Sequence, residues 1–340
     1  MMDPSAMAEV AVRAVADACA VCRRLQGGVT ALAKGDLSPV TVADFAAQAV
    51  VVRRLAGAFG GVRIVGEESG ELLRRPEHAR AAEAALLAIQ AALPHDRDWR
   101  NASPRDLIAA VELGSAREGV GDAFWTLDPI DGTKGFLRGQ QYCTALALIR
   151  GGRPTIGVLG CPNLRRGLEP GCLEVGKGAH PGVLVSATAG GGAVVSDLPG
   201  DRGSPIDPPP ARREGVVLAS SLVSNDEVRR ATDRVIARLR PGSREVQLDS
   251  QTKYAAVALG QADAFLRLPM ARRTPEAIWD HAAGVIVCQE AGCVVTDARG
   301  RDLDFGVGAT LSRNRGVIAA RPAVHGELRA VLAELGLDAA

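Results

Sequence analysis

Apolar positions at three- and four-residue steps (Met7, Val10, Ala14, Ala18, Val21, Cys22 and Leu25) predict an amphipathic helix at the N-terminus. A turn-rich stretch, Lys34-Gly-Asp-Leu-Ser-Pro-Val-Thr, separates it from a second helix. Thr41 and Asp44 read as a capping box opening that helix, which runs to about Phe59. Val62 to Val65 is a short β-like run ending at Gly66-Glu67-Glu68-Ser69, and residues 76–118 are mainly helical in pattern with breaks at Pro94 and Pro104. Then come short apolar runs with no helical period between them: Phe124 to Leu127, Tyr142 to Ile149, Thr155 to Leu159, Cys172 to Val175, Val183 to Val185 and Ala193 to Val195. Successive strands without intervening helices predict an antiparallel sheet. The first of them is expected to stop before Pro129, which lacks a backbone donor.

Residues 199–213 are rich in Pro, Gly and Arg, which places a boundary there. Beyond it, strands at 216–219, 245–248, 264–268, 293–296 and 317–320 alternate with helices at 225–239, 251–260, 279–291 and 322–335. The expected architecture is therefore α/β. The expected division is an α+β N-terminal domain (1–207) followed by an α/β C-terminal domain (208–340).

Composition narrows the function classes. With 47% hydrophobic residues, 23% charged residues and a net charge of +1 over 340 residues, the chain is neither disordered nor a polyelectrolyte that grips nucleic acid by bulk charge. No apolar run approaches the roughly 18–20 residues of a bilayer span. The 40 basic residues include only four lysines: Lys34, Lys134, Lys177 and Lys253. Seven cysteines and no evident signal peptide suggest a reducing, intracellular setting, in the cytoplasm or an organelle matrix. Cys19-x-x-Cys22 falls on a helical repeat, so core packing is the reading preferred over a zinc site. Cys161 and Cys172 flank a short loop and are a candidate regulatory disulfide.

The acidic residues carry the chemistry. Asp128-Pro-Ile-Asp131 follows a strand, and two carboxylates three positions apart across a turn can converge on one point. Gly132 permits an unusual backbone angle, and the amides of Gly132 and Thr133 can open a short helix towards an anion. Converging carboxylates repel unless they are protonated or bridged by cations. An all-oxygen set without a Cys or His cluster suits Mg²⁺. Taken alone, a DxxDG turn is also compatible with N-caps and solvated aspartates.

Three motifs occur in order: Val65-Gly-Glu-Glu-Ser69, Trp125-x-Leu-Asp-Pro-Ile-Asp-Gly-Thr133 and Trp279-Asp-His-Ala-Ala-Gly284. Together they resemble the lithium-sensitive, magnesium-dependent phosphatases related to inositol monophosphatase. Four more stretches make the likeness closest to the 3′(2′),5′-bisphosphate nucleotidase branch: Ser38-Pro-Val-Thr-Val-Ala-Asp-Phe-Ala-Ala-Gln48, Lys134-Gly-Phe-Leu-Arg-Gly139, Asp249-Ser-Gln-Thr-Lys-Tyr254 and Phe265-Leu-Arg-Leu-Pro269. The long helical segment between Glu68 and Asp128 adds to it, and the resemblance covers most of residues 8–330.

The resemblance implies an αβαβα layered sandwich with the site between the two domains, the first metal-binding and the second substrate-binding. It assigns two or three Mg²⁺ ions to Glu67, Asp128, Asp131, Asp280 and the carbonyl of Ile130. Asp36 and Thr133 become the catalytic pair that orients and deprotonates water. Gly132, Thr133, Ser250, Lys253, Arg267 and Asp280 meet the substrate, adenosine 3′,5′-bisphosphate or its sulfated relative, in sulfur metabolism. The alternatives are an inositol phosphate 1-phosphatase and a sensor that binds the nucleotide with little turnover. Glu68 is either a support for the site or a solvated residue, and Tyr254, Trp279 and His281 pack beneath it. The branch commonly carries a histidine after the strand at 216–219, where this chain has Ser220-Ser221-Leu222-Val223-Ser224-Asn225, so base preference is open. No Walker A loop, dinucleotide fingerprint, Gly-x-Ser-x-Gly elbow or aromatic-basic stripe is present. The expected partners are a small phosphate ester, with no nucleic acid polymer and no membrane, and the expected state is monomer or homodimer.

Overall fold

The computed structural model describes residues 3–26, 31–33, 39–116, 121–167, 180–200, 203–207, 214–221, 225–269 and 275–338. The first half runs α1 (Pro4–Leu25), β1 (Ala31–Ala33), β2 (Pro39–Thr41), α2 (Val42–Phe59), β3 (Ile64–Gly66), α3 (Ala79–Ala92), α4 (Pro104–Leu113), β4 (Ala123–Asp131), α5 (Thr133–Leu137), β5 (Cys143–Arg150), β6 (Arg153–Cys161), β7 (Val183–Thr188), β8 (Gly192–Asp197) and β9 (Ser204–Pro205). The second half runs β10 (Val217–Ser221), α6 (Asp226–Arg238), β11 (Arg244–Leu248), α7 (Thr252–Ala258), β12 (Ala264–Arg267), a 3-10 turn (Ile278–Asp280), α8 (Ala282–Glu290), β13 (Val294–Thr296), β14 (Val317–Ala320) and α9 (Pro322–Glu334).

Strands β3 to β9 form one seven-stranded sheet in chain order, antiparallel except for the parallel pair β3–β4. The second sheet has five strands in the order β11-β10-β12-β14-β13, parallel through β11, β10 and β12 and antiparallel beyond. Helices α1 and α2 cover one face of the large sheet, α7 and α8 lie between the two sheets, and α6 and α9 cover the outside of the small one. This is the expected αβαβα stack. The middle layer explains why the antiparallel strands read as continuous apolar runs and not as alternating ones. Both faces of β4 and β5 are buried: Trp125, Leu127, Leu146 and Leu148 face the first helical layer, while Phe124, Ala145, Ala147 and Ile149 face the middle one. Gly157 makes that fit possible, because a Cβ there would sit 2.3 Å from Ile286 Cγ2 of α8.

Two expectations need correction or completion. Strand β4 does not stop before Pro129 but continues to Asp131. Asp128 pairs with Ala145 and Asp131 with Cys143, so two residues of β4 face the single Thr144 of β5 in a β-bulge. The missing proline donor falls where the ladder is already interrupted, and Thr144 Oγ1 donates to the Pro129 carbonyl at 2.9 Å. The stretch at 199–213 also includes β9, which extends the large sheet beside β8.

The Cys19-x-x-Cys22 pair is buried on α1. Cys161 is buried with its sulfur 3.7 Å from Cys143, and the Cys161–Cys172 pairing involves a residue outside the described set. Among the described residues no helix is long and apolar enough to cross a membrane.

Candidate active site

The bulge decides where the acidic residues point. In a regular strand, side chains three positions apart lie on opposite faces. The extra residue in the bulge removes that inversion and lets Asp128 and Asp131 serve one site. Parallel β3 ends beside them, with Glu67 N donating to the Leu127 carbonyl at 3.1 Å, so Glu67 sits next to Asp128 on the neighbouring strand. Asp280 arrives on the 3-10 turn before α8.

Their electrostatics follow from the grouping. Asp128 is 2% exposed. Burial pushes its carboxyl well above the usual range, and the charges of Glu67, Asp131, Asp280 and Asp44 push the same way. Burial raises Asp131 to about 6, held back by Lys253, pushed further by Asp249 and opposed by a hydrogen bond from Gln251 N. Asp280 is raised well above its usual range by burial, Asp131 and Glu67. Carboxylates held this close without protons or cations would repel strongly.

Among the described residues, no three His, Cys, Asp or Glu side chains already stand arranged to hold one ion. Mg²⁺ does not need such a cage, because it keeps several waters and takes one or two carboxylates plus substrate oxygens. The donor set fits it: four carboxylates, the Ile130 carbonyl, and a buried Asp128 Oδ1 that accepts no hydrogen bond from the protein. A buried carboxylate oxygen without a donor is a cost that a cation removes.

Around this cluster, Gly132 adopts φ +87°, and a Cβ there would lie 3.0 Å from Ser250 Cβ. It is the N-cap of the five-residue α5, and Thr133 Oγ1 donates to the Ile130 carbonyl at 3.2 Å. Ser250 has φ +65° and is buried; its hydroxyl lies 2.7 Å from Thr252 Oγ1. Lys253 is buried with Nζ 5.3 Å above the Phe265 ring and 3.4 Å from the Leu248 carbonyl. Burial lowers its pKa, while Asp131 and Asp249 oppose that. Asp36 and loop residues 222–224 lie outside the described residues. Of the seryl loop, Ser220 Oγ contacts Glu245 Oε1, and Asn225 caps α6 through Val228 N at 2.9 Å. Tyr254 is buried against Phe265, Trp279 is partly buried in the middle core, and His281 is 2% exposed with Nδ1 2.8 Å from Tyr254 Oη.

The structure adds residues to which the sequence reading gave no role at the site. Asp44, read only as a capping residue, is 1% exposed and lies near both Asp128 and Cys22. A fully buried aspartate in a first helical turn is the signal it offers, and burial cannot be seen in one sequence. Gln48 clamps the end of β3: Glu68 N donates to its Oε1 at 3.1 Å, and its Nε2 donates to the carbonyls of Glu68 (2.7 Å) and Val111 (3.1 Å). Glu276 takes one edge of Arg267, with Nε–Oε1 at 2.7 Å and Nη2–Oε2 at 2.6 Å. Burial would raise Glu276, but the ion pair with Arg267 and the nearby His281 hold its carboxyl below the usual range. His281 Nε2 lies 3.8 Å from that carboxylate, too far for a hydrogen bond. Gln251 bridges Asp131 to the turn that carries Asp280.

A model of the inositol monophosphatase family matches residues 3–336. The 3′(2′),5′-bisphosphate nucleotidase of Schizosaccharomyces pombe is 38% identical over 304 residues, covering 85% of this chain and 82% of that one. The Oryza sativa enzyme of the same name is 38% identical over 323 residues, covering 92% and 89%. Among solved structures, the extragenic suppressor protein SuhB of Bartonella henselae superposes with a TM-score of 0.63 at 22% identity, covering 96% of this chain and 98% of that one. CysQ of Bacteroides thetaiotaomicron, at TM-score 0.60 and 19% identity over 93% of this chain and 97% of its own, shares the fold as well. Magnesium dependence and lithium sensitivity are typical of these phosphatases. With a family model spanning nearly every residue and relatives above 30% identity over most of their length, the chain belongs to the inositol monophosphatase family.

Proposed function

We propose that this protein is a magnesium-dependent phosphomonoesterase that removes the 3′-phosphate of adenosine 3′,5′-bisphosphate, giving AMP and phosphate, and that also takes the sulfated relative of that nucleotide. The observation that carries it is the cluster of buried Asp128 with half-buried Glu67, Asp131 and Asp280, beside buried Lys253 and half-buried Arg267. The names of the similar nucleotidases support the substrate. The chain divides functionally at 207/208, the first part carrying most of the metal ligands and the second supplying the groups that grip the nucleotide. The four carboxylates and the Ile130 carbonyl would hold the Mg²⁺ ions, two or three of them. Once bound they supply the positive charge that acidifies water and stabilises the leaving oxygen.

The chain's own residues do the rest. Thr133 orients the attacking water, and a carboxylate takes its proton. Lys253 and Ser250 hold the second phosphate together with the Nη1 edge of Arg267, the edge that Glu276 does not occupy. Asp36 and Asp44 are rival candidates for the carboxylate. Asp44 is favoured by its burial next to Asp128. Asp44→Asn is expected to lower kcat by about 100-fold or more, the scale of a lost general base, with KM little changed. A large loss in Asp36→Asn with Asp44→Asn unaffected would return the role to Asp36.

The deciding assay is phosphate release from adenosine 3′,5′-bisphosphate, compared with inositol 1-phosphate and inositol 1,4-bisphosphate, in Mg²⁺, in EDTA and in millimolar Li⁺. Preference for the nucleotide, lost in EDTA and suppressed by Li⁺, is the expected result. Preference for an inositol phosphate would keep the metal centre and move the substrate, and would point to Ser220-Ser221 in place of the branch's histidine as the reason.

A further inference from the structure

We infer that Gln251 is a positioning residue that fixes Asp131 and Asp280 relative to one another and thereby sets the affinity of the site for its cation. The inference rests on the carboxylate cluster being the metal centre proposed above. The two aspartates come from different parts of the chain: Asp131 ends β4 of the large sheet, and Asp280 lies on the 3-10 turn ahead of α8. No backbone ladder holds one against the other. Gln251 reaches both. Its backbone N–H donates to Asp131 Oδ2 at 2.6 Å. Its side-chain Nε2 donates to the Trp279 carbonyl at 2.8 Å, one residue before Asp280, and its Oε1 accepts from Gly284 N of α8 at 3.0 Å. The side chain is 1% exposed, so these bonds do not compete with bulk water.

The surrounding turn holds Gln251 in place. Ser250 adopts φ +65° and packs against Gly132, the residue after Asp131. Thr252 N then donates to Ser250 Oγ at 3.1 Å, and Thr252 Oγ1 to the Tyr142 carbonyl at 3.4 Å. The 249–252 turn is thus wedged between the two carboxylate carriers, with Gln251 bonded to each. Mg²⁺ demands near-ideal octahedral geometry, so a few tenths of an ångström between two of its ligands matter to it. Partners one step removed from a metal typically change its affinity by about 10–100-fold when replaced.

The test is a calorimetric Mg²⁺ titration of the full chain, without substrate, alongside the thermal unfolding midpoint. Gln251→Met keeps the volume and loses both side-chain bonds; Gln251→Asn keeps the amide but falls one methylene short, and carries the test if the methionine variant does not fold. Either is expected to bind Mg²⁺ about 10–100-fold more weakly, with kcat at saturating Mg²⁺ close to the parent. Glu290→Ala is the structural control. Glu290 ties α8 to the β7–β8 turn through Gly190 N and Gly192 N, each at 2.9 Å, away from the carboxylates. It should lower the unfolding midpoint without moving Mg²⁺ affinity. Asp280→Asn should lose the part of the Mg²⁺ signal that depends on Asp280. Folded Gln251 variants that bind Mg²⁺ within about twofold of the parent, well short of the expected loss, while Asp280→Asn has lost that part, would overturn the role of Gln251 alone. Parent-like binding by Asp280→Asn would overturn the metal centre and Gln251's role with it.

Discussion

Asp128→Asn is expected to abolish turnover while making the metal-free protein more stable. The loss of rate follows from the central place of Asp128 between Glu67, Asp131 and Asp280. Charge stabilisation supplied through a bound cation is worth several kcal/mol in the transition state, so about a thousandfold or more should be lost. The gain in stability follows from burial. Asp128 Oδ1 has no protein donor, and the carboxylate sits at 2% exposure among four other acids. An amide in its place removes the repelling charge and supplies two donors to neighbouring carboxylates. Relief of about 1–3 kcal/mol is the expected scale, which is a few degrees in the unfolding midpoint for a chain of this size. Thermal unfolding in EDTA, followed by phosphate release in Mg²⁺, checks both halves. Retained activity would sink the site, and a lower midpoint in EDTA would mean that Asp128 serves the fold and not a cation.

Stability should also depend on pH in opposite senses with and without Mg²⁺. Burial raises the carboxyls of Asp128, Asp131 and Asp280 in the folded chain, Asp131 from 3.8 to about 6. In the unfolded chain they return to ordinary values. The folded state therefore binds more protons than the unfolded one across that interval, and stability falls as pH rises. The contribution is fully present below pH 3.8, the ordinary Asp131 value, and is lost as pH passes through about 6. From Asp131 alone the swing is on the order of a few kcal/mol. Mg²⁺ binds the ionised carboxylates, so its stabilisation should be small near pH 5 and grow towards pH 8. Unfolding midpoints measured from pH 5 to pH 8, in EDTA and in Mg²⁺, should diverge as pH rises. Parallel curves would show that these carboxylates do not bind the ion.

Much of the fold is legible in the amino-acid order because its signals are local. The step of three and four between Met7 and Leu25, the strand runs at 142–149 and 155–159, and the β-α alternation after residue 214 each describe an element that burial then preserves. The motif residues are local signals too: Gly-Glu-Glu, Asp-Pro-Ile-Asp-Gly-Thr and Trp-Asp-His each lie within a few consecutive positions. The strand end at Pro129 is the instructive miss. A lone proline reads as a stop, and only the pairing partner β5 shows that the ladder bulges there and carries on to Asp131.

The sequence by itself determined the elements, the metal-compatible chemistry of Glu67, Asp128, Asp131 and Asp280, and the family they belong to, because residue type and short spacing suffice for each. Tertiary structure alone decided which acids meet and what holds them. It brought Asp280 to Asp131 across about 150 residues of chain, buried Asp44 beside Asp128, spent one edge of Arg267 on Glu276, and joined the two halves through the amide of Gln251. Those contacts arise from two sheets closing on a shared helical layer. A pairing fixed by packing between distant segments has no period or spacing along the chain to announce it.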